Sequence, residues 1–178
     1  MSEGLQLLYP LDLFYQTTGW AIPEVRPIPG EEMPEPYRGL LVHSRDMTPT
    51  LEAFHGERIH LRTMERREES ETFCRLVVLT TDETEKPVEF GAIAIQLEVF
   101  PPEAQELIRG CRCPLGTILA ECEIPHASSP RAYFEVHPDP HMRDLLASNG
   151  AERLYGRRNV LSTPDGRVIA DVLEILPV

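Results

Sequence analysis

The pattern of apolar and polar positions divides the 178 residues into an irregular beginning and a regular remainder. Residues 5–15 crowd together Leu5, Leu7, Leu8, Leu11, Leu13, Phe14 and Tyr15, a density that suits a short helix or a packing strand. Pro23, Pro27, Pro29, Pro34 and Pro36 follow, and prolines this frequent rule out regular structure up to Tyr37. Residues 1–37 are therefore expected to form a Pro-rich arm packed over a domain made of residues 38–178, because Trp20 and Ile22 need cover. Residues 36–43 and 48–54 read as short helices. The second has Thr48 as N-cap, Pro49 at the first helical position and Gly56 as its stop.

Strand signals come next. Residues 58–67 alternate, with Ile59, Leu61 and Thr63 on one side and Arg58, His60 and Arg62 on the other. Residues 71–81 are apolar on both faces, and residues 88–99 return across a polar turn as the second arm of a hairpin. A helix runs from Pro102 to Gly110, and another opens at Pro114-Leu115-Gly116 and ends near Ala120. Residues 130–136 make a strand and 140–148 a helix closed by Asn149-Gly150. A last hairpin, 153–162 with 167–176, turns at Thr163-Pro164-Asp165-Gly166. The sum is an α+β domain, an antiparallel β-sheet of five or six strands with helices inserted in the connections.

Two charges break this pattern. Arg75 shares a strand face with Phe73, Val77 and Leu79, where a guanidinium is costly unless an anion meets it. In the last strand Asp171 marks the wetter face, which turns Glu174 inward with Val168, Ala170 and Val172. A carboxylate so placed needs a cationic partner or a raised pKa. The two residues either line a functional pocket or form a buried salt bridge, with each other or with Arg157.

Composition narrows the choices. There are 29 acids against 17 bases, a net charge of -12, which argues against nucleic acid or a membrane surface as partner. Lys86 is the one lysine, so the remaining sixteen bases are Arg, the cation suited to gripping carboxylates. The first residues lack the features of a signal peptide and no apolar run reaches the length of a membrane span, so a cytoplasmic setting is expected. Four cysteines are too few for a disulfide scaffold. Cys111, Cys113, Cys122 and His126 do not have the usual zinc spacing and read as packed thiols and a loop histidine, so no metal is expected. There is no phosphate-cradling Gly-rich loop and no nucleophile elbow.

Four ordered segments carry a family resemblance: Asp46-Met47-Thr48, Cys74-Arg75-Leu76-Val77-Val78-Leu79, Pro114-Leu115-Gly116, and Tyr155-Gly156-Arg157-Arg158-Asn159 leading to Leu173-Glu174-Ile175-Leu176-Pro177. Over residues 38–178 the chain resembles the chorismate pyruvate-lyase family, whose fold is related to the effector-binding UTRA domains. The resemblance implies a cofactor-independent carbon–oxygen lyase that eliminates pyruvate from chorismate, or from a related carboxylated ring, to leave 4-hydroxybenzoate. It implies that Arg75 and the Leu115 backbone N–H hold the ring carboxylate, that Met47 lines the pocket, and that Glu174 is the buried acid beside the departing group. Two departures accompany it. Strict alignment puts the glutamate position on Leu173 unless a longer hairpin turn restores Glu174, and the family's second pocket arginine falls near Ala92. The partner implied is a small anionic aromatic or cyclohexadiene carboxylate, bound by a monomer. The alternative is a non-catalytic module that binds a small carboxylate, or a degenerate relative with a protein-interaction role.

Overall fold

The computed structural model describes residues 7–177; the expectations for residues 1–6, Leu5 among them, and for Val178 lie outside these. Residues 72–81 are apolar on both faces because both faces are covered. In chain order the strands are Val25–Pro27 (β1), Ile59–Glu69 (β2), Thr72–Thr81 (β3), Pro87–Gln96 (β4), Ala127–Val136 (β5), Leu154–Ser162 (β6) and Val168–Leu176 (β7). They form one antiparallel sheet in the order β1-β5-β6-β7-β4-β3-β2, which leaves β3 and β4 flanked on either side. The helices Leu11–Thr18 (α1), Tyr37–Leu41 (α2), Met47–His55 (α3), Pro102–Gly110 (α4), Leu115–Glu121 (α5) and Pro140–Leu145 (α6) precede the sheet or fill its connections.

The architecture is the α+β arrangement expected, with seven strands rather than five or six. The additional strand, β1, lies in the segment where the prolines predict no regular structure. It pairs Val25 with Val136 and Pro27 with Phe134 at the sheet's outer edge, the one place in a ladder where a residue without an N–H does no harm. Trp20 and Ile22 remain 37% and 42% exposed. Within residues 7–37 the buried apolar side chains instead include Leu8, Leu11, Phe14 and Tyr15 around α1, with Ile28, Met33 and Tyr37 further on.

Period-2 alternation sorts the strand residues onto two faces. On one, Cys74, Leu76, Phe90 and Leu173 pack under α1 and α6. The other carries two separate clusters. Phe73, Ile93 and Ile95 lie beneath α4 and α5, while Leu79, Val88 and Leu176 lie beneath α2 and α3. Between the two clusters the sheet face is polar, and that gap positions the site. Helix boundaries differ from expectation: the helix read over 36–43 is Tyr37–Leu41, and the one read over 140–148 ends at Leu145. α3 begins at Met47 with Asp46 as its N-cap residue, so Thr48 is inside the helix, and the Asp46 carboxylate bonds His126 rather than the helix backbone. Gly56, at φ 70°, ends α3 in the left-handed conformation that glycine adopts without strain.

Candidate functional site

The gap is a cavity of about 70 Å³ between the N-terminal ends of α3 and α5 and the middle of the sheet. At about 10–15 Å³ per water it holds roughly five waters, the room taken by a single small ring or a short acid. Its floor is the run Arg75, Val77 and Leu79 on β3 and Glu89, Gly91 and Ile93 on β4. Asp46, Met47 and Thr48 of α3 and Pro114, Leu115 and Gly116 of α5 close it from above.

Arg75 is 1% exposed. Its Nη2 donates to the Cys113 carbonyl at 3.2 Å, and its Nε and Nη1 are buried with no partner. Among the described residues no carboxylate forms a salt bridge with it. Burial pulls its pKa below the ordinary arginine value, opposed by the nearby Cys111 thiol. A buried cation that lines a cavity, with two of its nitrogens lacking a hydrogen-bond partner and only the Cys113 carbonyl and the Cys111 thiol beside it, is an arrangement that an anion completes.

The second arginine of this face is already satisfied. Arg157, 0% exposed, pairs directly with Glu174 across the β6–β7 ladder. Its other nitrogens donate to the Leu41, His43 and Arg45 carbonyls at 3.2, 2.9 and 3.2 Å. Arg157 therefore pins the loop before α3 and fixes the roof over the sheet. The third polar group is Glu89, also buried, with Oε2 lacking any partner. Desolvation first, and the Glu174 charge second, push the Glu89 carboxyl well above the ordinary value, with Arg157 opposing. Its Oε1 lies over Gly91, where an added Cβ would come within 2.9 Å of it. The absence of a side chain at Gly91 lets the carboxyl lean into the cavity.

All four residues singled out from the sequence, Met47, Arg75, Leu115 and Glu174, line this one cavity. Leu173 points to the opposite face, into the α1 cluster, so Glu174 is the residue opposite Arg157. Ala92 also belongs to that opposite cluster, and β4 turns Glu89 rather than a cation toward the pocket. Sequence reasoning passed over Glu89 and treated Arg157 only as a partner. The signal for Glu89 was its alternation with Gly91, Ile93 and Ile95. Cys111, Cys113 and Cys122 are free thiols, and the His126 ring lies within hydrogen-bonding distance of the Asp46 carboxylate and the Ile124 carbonyl. Among the described residues no group of three or more His, Cys, Asp or Glu is placed to hold a metal, and no helix is long and apolar enough to cross a membrane.

No family model matches the chain, and no curated protein matches it. Solved structures do. The effector domain of PhnF from Mycobacterium smegmatis superimposes with a TM-score of 0.54 at 13% identity, covering 74% of this chain and 87% of that one. The chain has the chorismate lyase-like fold. A possible transcriptional regulator, YydK from Bacillus subtilis, shares this chorismate lyase-like fold with a TM-score of 0.53 at 9% identity, over 99% of this chain and 95% of its own. A Staphylococcus aureus gene product, SA0254, shares it with a TM-score of 0.54 at 6% identity, over 76% and 90%.

Proposed function

We propose that this chain is a non-catalytic binding module that takes a small carboxylate or similar anion into the cavity above β3 and β4. One observation carries the reading: Arg75 lines the cavity, its guanidinium is buried, and among the described residues it has no counter-ion and two of its nitrogens have no hydrogen-bond partner. The ligand anion would supply the missing partner, with the Leu115 end of α5 and the Met47 end of α3 enclosing it. The chorismate lyase-like fold supports the reading, because the effector domain of PhnF has it too. The lyase alternative asks Glu174 to act as a free acid. That carboxylate is committed to Arg157, which favours binding over elimination.

Titration calorimetry with propionate, benzoate, 4-hydroxybenzoate and inorganic phosphate tests this. At least one should bind the wild type. Arg75→Met should weaken it by about ten- to a hundredfold, since hydrogen bonds to a charged group contribute roughly 1.5–3 kcal/mol. Chorismate incubated with the protein should release no pyruvate. Release of pyruvate that depends on Arg75 would reinstate the lyase, and failure of every anion to bind would overturn the binding reading.

A further inference from the structure

The cavity has two unsatisfied ends of opposite chemistry. Arg75 faces Ile93 across the β3–β4 ladder, and Glu89 faces Leu79 four residues further along the same face. At about 3.3 Å per residue the two Cα atoms stand roughly 13 Å apart along the strands. The Glu89 carboxyl reaches over Gly91 toward the centre, and both residues line the cavity with Val77 and Gly91 between them. Each is buried and each has a polar atom with no partner. An anion alone would complete the Arg75 end and leave the Glu89 end unmatched.

We propose that the ligand is a small zwitterion, an amino carboxylate whose carboxylate meets Arg75 and whose ammonium is received by Glu89. This inference rests on the anion-binding reading above and goes further by naming the second group the ligand must carry. The charges around Glu89 favour it. On the sheet it faces Glu174 of β7, Arg157 of β6 and Arg75 of β3, while from above come Asp46 at the start of α3 and His43 in the loop beside Arg157. Leu61 from β2 and Pro114, Leu115 and Gly116 from α5 add no charge. Glu174 and Arg157 cancel, so an ionised Glu89, with the Asp46 carboxylate above it, leaves that end net negative and suited to an ammonium. In the empty pocket burial, and after it the Glu174 charge, shift the carboxyl toward its protonated form. Binding therefore exchanges charge in balance: Glu89 loses its proton to solvent, and its carboxylate pairs with the incoming ammonium.

The test compares 4-aminobutyrate and 5-aminopentanoate with butyrate and pentanoate by titration calorimetry at neutral pH. At least one amino acid should bind ten times or more tighter than the plain acid of equal length. The advantage should disappear in Glu89→Gln, an uncharged carboxyl mimic of the same shape. In a pH-stat, the wild type should release up to one proton per amino acid bound and none with the plain acid, a reading that does not depend on the variant folding. If the plain acids bind and the amine adds nothing, the zwitterion inference fails and the anion reading survives. If neither series binds, the zwitterion inference fails, and the anion reading fails with it only if propionate, benzoate, 4-hydroxybenzoate and phosphate do not bind either.

Discussion

Replacing Arg75 with methionine should make the empty protein more stable. Arg75 shares its strand face with Phe73 and Val77 and stands opposite Ile93, and its buried guanidinium donates to the Cys113 carbonyl beside the Cys111 thiol. Removing a charge from such a site relieves a desolvation cost of several kcal/mol. Loss of the one charged hydrogen bond gives back about 1.5–3 kcal/mol, and methionine fills the apolar part of the space. The net is of the size seen when buried ions give way to packed apolar residues, about 1–4 kcal/mol of stabilisation. For a chain of this length that raises Tm by roughly 2–16 °C, at about 2–4 °C per kcal/mol. Thermal unfolding followed by circular dichroism, with urea melts to confirm an unchanged slope, measures it. A ligand at a hundred times its Kd should add about 2.7 kcal/mol to the wild type and nothing to the variant. A variant less stable than wild type by more than about 1 kcal/mol would refute the reasoning, because Arg75 would then be a structural strut for the 111–113 turn.

Arg157→Met should do the reverse and cost about 3–5 kcal/mol in urea melts, since it strands Glu174 and removes the donor from three carbonyls of the 41–45 loop. The double change Arg157→Met with Glu174→Met should recover part of that loss, and a strictly additive cycle would contradict the pairing. Glu89 sets a pH dependence. Its folded-state pKa is raised, so between the ordinary glutamate value and that raised value the folded chain holds a proton the unfolded chain releases. Stability should therefore fall as pH rises through this window, by at most about 1.4 kcal/mol per unit, and Glu89→Gln should flatten the difference. Gly156→Ala should lower Tm, because a Cβ there would come within 2.5 Å of the Glu174 carbonyl oxygen and 2.6 Å of the Phe134 ring. Overpacking of this kind costs about 1–3 kcal/mol.

What could be read from the sequence, and what could not, follows the strength of the local signals. β3 stood out because nine of its ten residues are buried, which makes the strand apolar on both faces, and a lone Arg75 within it has no surface explanation. The β6–β7 hairpin was clear from its turn residues, and with the turn known, Glu174 falls opposite Arg157. β1 was hidden by Pro23, Pro27 and Pro29, which signal loop to any local rule. Only the neighbouring β5 makes Val25–Pro27 a strand. Asp46 was overlooked as the start of α3 because Thr48-Pro49 is the stronger local signature, and the choice was made by a contact eighty residues away, His126. Glu89 was missed for a related reason. A glutamate one residue after a turn looks solvated, and its burial comes from the helices that cross above it and from the Glu174–Arg157 pair beside it. Residues made unusual by their own strand were visible in advance, whereas those made unusual by distant segments were not.

The central claim is that the Arg75 guanidinium awaits an anion. A crystal structure grown in saturating propionate tests it most directly. The account predicts a carboxylate within hydrogen-bonding distance of Arg75 Nε and Nη1, enclosed by Met47 and Leu115, with the Arg157–Glu174 pair undisturbed. An empty cavity, or propionate bound elsewhere while Arg75 turns to a carboxylate of the protein itself, would contradict it.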